Sequence, residues 1–419
     1  MIKKKKYIII IFALLSVSFA KAQQCVYQDH EYNFINYDTN YLHFYGDVSY
    51  AKSFFEKIDR LITYGDENIN IIHFGGSHIQ AGYWSGQIRK RLENMYPGLI
   101  GSLGYVFPFT IAKTNIPNHY RAEYTGTWDC SRITDKAPFF KAGAGGIAAH
   151  TNDTPASILI RKANTNDLTH RFNKISLLHD TSSNSFKTKL NLNKNTTISY
   201  SYSEPCKTVY ILSKPIDTLS FSIIQTDSMQ DHFTFYGAYL ENTNYGITYS
   251  GIGINGAATS SYLKTYLFEE QLCLMYPDLV IFSIGVNDAA GRNFNQTKYQ
   301  ENYSKIIEKI RSINPACMFV FTTNNDFYSY SGINNPHSKA IYQSMESLSL
   351  KYGGAIWDLY TIMGGNRSIN IWRSKHLAKN DRIHFTKEGY KLIGNLFFDA
   401  FLKAYTAYLK EQYQYVELD

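Results

Sequence analysis

Four short blocks of this 419-residue chain carry side chains able to do chemistry. Gly75-Gly76-Ser77-His78 closes an apolar run, Ile69 to Phe74, and an amphipathic run follows soon after. That pattern reads as a buried strand feeding a tight turn that lifts one hydroxyl off the C-terminal edge of a sheet, where open α/β sheets bind ligands. A serine there is a nucleophile only if a base, a group to orient the base and oxyanion donors come from elsewhere. Asp381-Arg382-Ile383-His384 offers the base and its orienting carboxylate from one loop, histidine being the side chain best matched to neutral pH. Gly256, in Gly253-Ile254-Asn255-Gly256, lets backbone approach a substrate oxygen. Asn287, after Gly285 at a second strand end, supplies an amide N–H₂. Each block alone has a plainer reading: a turn serine, a solvated loop pair, a turn glycine, an asparagine capping its own turn. Asp288 is expected to hold its loop, His78 to form pocket wall, and His73 to be a satisfied core histidine.

These groups have to be positioned by alternating helices and strands. Apolar residues at helical spacing over 51–63 and 84–95 flank the Ile69 strand. Helical period returns at 262–275, 299–313, 340–352 and 386–409, with strands at 279–285, 317–322 and 355–359 between them. This alternation implies an α/β fold with a parallel sheet covered on both faces. Residues 111–249 differ: seven short β-branched or aromatic runs, at 157–160, 174–178, 186–192, 197–202, 208–212, 219–224 and 233–240, recur between polar turns. The expectation is an all-β, sandwich-like domain inserted between two parts of an α/β domain, 23–110 and 250–419.

The first 22 residues, with four lysines at 3–6, an apolar run from Tyr7 to Phe19 and Ala20-Lys21-Ala22, describe a secretory signal peptide. Its removal takes five lysines and no acid, lowering the formal charge from +7 to +2, so the basic balance gives no support to nucleic-acid binding. No integral membrane segment is expected after that removal. Five cysteines without close spacing form neither a disulfide framework nor a zinc site. No metal-ligand cluster and no phosphate-binding glycine loop stand out, so no metal or cofactor is expected. The chain should be exported, to a periplasm, a cell surface or the medium.

Taken together, the four blocks resemble those of the SGNH, or GDSL, serine hydrolases, in that family's order. The resemblance implies a three-layer α/β/α sandwich with Ser77 as nucleophile, His384 as general base and then acid, and Asp381 orienting it. It also implies an oxyanion hole built from the backbone N–H of Ser77, the backbone N–H of Gly256 and the Asn287 amide. The first block departs from the family pattern, since Gly76 stands where an aspartate is usual. An exported member with an inserted β domain resembles carbohydrate esterases acting on O-acetylated peptidoglycan or polysaccharide, so the expected partner is an acylated glycan. Other readings are a lipase or thioesterase, an acyltransferase, and a glycan-binding protein on a decayed hydrolase scaffold.

Overall fold

The computed structural model describes residues 31–163, 170–291, 293–329, 332–335 and 337–413; the expected leader and Cys25 lie outside them. Seven strands build the principal sheet: β1 (His43–Tyr45), β2 (Asn68–Gly75), β3 (Gly101–Ser102), β4 (Gly246–Gly253), β5 (Leu279–Ser283), β6 (Met318–Thr322) and β7 (Gly354–Trp357). Their spatial order is β1-β7-β6-β5-β2-β4-β3. The β1 edge runs antiparallel to β7 and every other pairing is parallel.

Side chains of a strand alternate between faces, and here both faces are covered. Ile69, Ile71, Leu279 and Ile281 join a core with Phe54, Ile58, Trp84, Ile88, Phe397 and Phe401, from the Ser49–Tyr64, Tyr83–Glu93 and Lys387–Tyr413 helices. Ile72, Phe74, Val280 and Phe282 face the opposite way, toward Tyr303 and Ile307 of Gln296–Ile313 and Met345 of Ser338–Tyr352. Two covered faces explain why the strands read as unbroken apolar runs, and the three-layer α/β/α fold is as expected.

The intervening region is antiparallel β. One sheet has the order Lys187–Leu190, Thr218–Ile224, Ala156–Lys162, Tyr120–Thr125. The other follows Ile198–Glu204, Lys207–Ile216, Phe172–His179, Phe233–Glu241, Ile147–Thr151 and Asp129–Arg132, with Gly104–Val106 also pairing onto Phe233–Glu241. All seven expected runs fall within or overlap strands. Pairing crosses the expected limits at both ends, however: Gly104–Val106 already belongs to the β region, and Gly246–Gly253 belongs to the principal sheet. The segment expected as one helix over 262–275 is two short ones, Thr259–Tyr262 and Phe268–Met275. The hydrophobic core runs without interruption from the principal sheet into the β region, joining Phe282 and Ile254 to Phe235 and Ile175.

Among the described residues no helix is long and apolar enough to cross a membrane, and no group of three or more His, Cys, Asp or Glu could hold a metal ion. Cys130, Cys206, Cys273 and Cys317 are unpaired, with Cys317 a buried core residue.

Candidate active site

Strand β2 lies inside the sheet between β5 and β4 and ends at Gly75, after which the chain turns through Gly76 into the short Ser77–Gln80 helix. Gly75 is required by packing: a Cβ there would sit 2.2 Å from Ile79 Cγ1. The neighbouring strand makes the same allowance. A Cβ on Gly253 would meet the Gln80 backbone nitrogen at 2.3 Å, and one on Gly251 would meet Ser85 Oγ at 2.9 Å. Glycines in β4 therefore let the Ser77–Gln80 helix and the following Tyr83–Glu93 helix settle against the sheet.

Asp381 and His384 come from the turn before the Lys387–Tyr413 helix. Ser77 Oγ lies 2.7 Å from His384 Nε2, and His384 Nδ1 lies 2.8 Å from Asp381 Oδ2. The other carboxylate oxygen, Oδ1, accepts from the backbone N–H groups of Ile383 and His384, each at 2.9 Å. Burial pushes the Asp381 pKa up, but the two backbone N–H donors and the imidazole outweigh it and hold the carboxyl below its ordinary range. The ring is thus fixed in the orientation that leaves Nε2 facing the hydroxyl.

Gly256 sits at φ +80°, in the left-handed region that favours glycine. Asn287 follows Gly285 at the end of β5 and donates from Nδ2 to the Ala257 carbonyl at 3.0 Å. That bond uses one amide hydrogen and ties the Asn287 turn to the Gly256 loop, leaving a second hydrogen. Among the described residues the backbone N–H groups of Ser77 and Gly256 have no hydrogen-bond acceptor. The Asp288 carboxylate accepts from the Thr259 N–H and, at 2.7 Å, from its hydroxyl, so it braces the loop.

His73 is a core histidine satisfied by Tyr249 Oη at 2.8 Å and Ser283 Oγ at 2.7 Å. His78 is buried rather than lining the cleft. Its ring packs 5.1 Å from that of His384, with Nδ1 bonded to Tyr390 Oη at 2.9 Å. Burial above all, then the proximity of His384, pulls its pKa down to about 3; Asp381 opposes the shift by more than Lys379 adds to it. The ring beside His384 therefore stays uncharged at neutral pH.

Sequence reading gave no role to Gln80. Its Oε1 accepts from the Asn255 N–H at 2.7 Å, while Nε2 donates to the Asn115 carbonyl at 2.9 Å. Asn255 Nδ2 closes the network on Asn115 Oδ1 at 2.7 Å. This amide clasp fixes the loop bearing Gly256 against the segment leading into the β region. Its only sequence signal was position: Gln80 lies three residues after Ser77 and Asn255 immediately before Gly256. Around the site is a cleft of about 660 Å³, lined by Ser77, Asn115, Asn255, Asn287, Lys379 and Lys387 among others.

Residues 222–392 match the model of the GDSL-like lipase/acylhydrolase family. The match includes Gly256, Asn287, Asp381 and His384 and stops short of Ser77. No curated protein matches the chain. Among solved structures the chain resembles a peptidoglycan O-acetylesterase at 20% identity and TM-score 0.73, over 87% of this chain and 99% of that one. An acetyl xylan esterase aligns at 18% identity, TM-score 0.30, over 37% of this chain and 81% of its own. A GDSL-like lipase from Bacteroides thetaiotaomicron aligns at 20% identity, TM-score 0.30, over 37% and 76%. The first of these shares the fold over nearly its whole length, β region included. Residues 222–392 thus match a GDSL-like lipase/acylhydrolase domain, a match that supports an ester hydrolase of that type.

Proposed function

We propose that the protein is an exported serine esterase that removes O-acyl groups, acetyl foremost, from a glycan. The observation that carries this reading is the hydrogen-bonded series Ser77–His384–Asp381, whose serine and histidine line a cleft together with Gly256 and Asn287. In the first half-reaction Ser77 Oγ attacks the ester carbonyl carbon and its proton passes to His384 Nε2. The carbonyl oxygen becomes an oxyanion facing the N–H groups of Ser77 and Gly256 and the Asn287 amide. Collapse breaks the ester C–O bond, and His384 returns the proton to the departing sugar hydroxyl. Water then attacks the acyl-serine, giving its proton to His384 and releasing the carboxylic acid while Ser77 is regenerated.

A sugar substrate is supported by the cleft's polar wall of Asn115, Asn255 and Asn287, which matches hydroxyls better than a long acyl chain, and by the kind of protein whose fold it shares. The leader-like residues 1–22 support export.

Turnover of p-nitrophenyl acetate and butyrate tests the proposal. Ser77→Ala and His384→Ala should each lower kcat by a factor on the order of 10⁴ or more. Asn287→Ala should lower it by about 10²–10³, with KM little changed. Acetate should be preferred to butyrate. A folded protein that turns over neither these esters nor acetylated glycans would refute the assignment.

A further inference from the structure

The cleft is electrically lopsided. Lys379 and Lys387 line it, and no carboxylate does. Asp381 stands behind His384 with both oxygens engaged by the turn. The two lysines bracket that turn: Lys379 precedes it, its N–H bonded to the His384 carbonyl at 2.8 Å, and Lys387 opens the following helix. Neither makes an ion pair among the described residues. Neutral amides, Asn115 and Asn255, also line the cleft, already oriented by the Gln80 clasp. A concave wall of one sign raises the local concentration of an oppositely charged ligand, and ammonium groups on flexible stems suit anions without demanding one planar geometry.

We infer that the cleft takes a sugar unit bearing an acidic group, carboxylate or sulfate, held by Lys379 and Lys387 while its acyl ester faces Ser77. This inference rests on the glycan-esterase reading above. It adds the charge of the substrate and the two residues that recognise it.

The test compares kcat/KM for O-acetylated uronic-acid, sulfated and neutral oligosaccharides of similar size. An acidic substrate should be favoured about tenfold at low salt, the combined effect of two partly exposed charge contacts, and less so at high salt. The Lys379→Met/Lys387→Met double variant should bring the acidic-to-neutral ratio close to one, and the double change to Glu should invert it. Whichever acidic arm is the larger identifies the group. Equal turnover of acidic and neutral substrates, or a preference that survives the double variant, overturns the inference. Uncharged p-nitrophenyl acetate reports the chemistry separately, so its inertness would count against the esterase reading instead. In that event calorimetric titration with unacetylated acidic and neutral oligosaccharides decides: binding of the acidic one that is lost in the double variant supports the inference, and equal or absent binding refutes it.

Discussion

The two sides of the Ser77–His384 hydrogen bond are held by different forces. On the serine side, Gly75 and Gly253 leave no room for a methyl group, and Phe74, Ile79 and Ile252 around the turn are at most 1% exposed. On the histidine side, the Asp381 and His384 side chains are 42% and 29% exposed. Their geometry is set by three short bonds converging on one carboxylate. Packing fixes the proposed nucleophile, and local hydrogen bonding fixes the proposed base. Damage to the first should appear as lost stability, and damage to the second as lost rate in a protein that is otherwise intact.

Asp381→Asn breaks the second side alone and should have the largest effect. Asparagine can keep Oδ1 accepting from the Ile383 and His384 N–H groups, so the turn survives. Its N–H₂ then faces Nδ1 and favours the imidazole tautomer with Nε2 protonated, which donates to Ser77 instead of accepting its proton. On that logic kcat should fall by about 10³–10⁴, as for the corresponding protease change. The depressed carboxyl pKa contributes stability above its unfolded value, lost as pH falls below about 4. Because the group is substantially exposed, its removal at neutral pH should cost no more than about 1 kcal/mol. Stopped assays beside urea unfolding check both halves, and an unfolded variant would show that the turn is structural after all.

What the sequence disclosed follows the same division. Ser77, Asp381, His384, Gly256 and Asn287 were legible as candidates because their types and spacing sit at strand ends and loops, and the fold brings them together. Strand β4 was not. Its run Gly246-Ile-Thr-Tyr-Ser-Gly-Ile-Gly253 carries glycines for the approach of the Ser77–Gln80 helix, a contact made by residues some 175 positions away. The Gln80–Asn115–Asn255 clasp was hidden for a related reason. Amide side chains are common, and only the tertiary fold shows which three meet. His78 was placed in the pocket wall because it neighbours Ser77, yet burial against Tyr390 and Phe385 turns it inward. Lys379 and Lys387 carry no motif at all, and their meaning comes from the cleft they line.

Gly75→Ala tests the packed side. Its Cβ would fall 2.2 Å from Ile79 Cγ1 and 2.8 Å from Ile79 Cβ, so the turn or Ile79 must shift in a close-packed core. Overpacking of this kind costs about 1–3 kcal/mol. The urea midpoint should fall measurably, with kcat following as Ser77 moves. Pairing it with Ile79→Ala, which removes the nearer of the two clashing atoms, should recover part of the rate. A variant of full stability with lost activity would erase the distinction between the two sides.

Gly76→Ala is the finest probe, because it sits where the sides meet. The usual family residue there is an aspartate, and glycine reads from sequence as slack beside the nucleophile. The structure points elsewhere. Gly76 has φ −94° and ψ −139°, and a Cβ would lie 3.2 Å from Asn287 Nδ2 and 3.5 Å from the Ala257 carbonyl oxygen. The missing side chain leaves space in which the Asn287 amide rests against Ala257 O, so a methyl group would displace that donor by a few tenths of an ångström. The expected result is a kcat lower by about two- to tenfold, a fraction of what losing the whole donor costs. A faster enzyme would mean that glycine here is slack, and that an additional contact at this position sharpens the site.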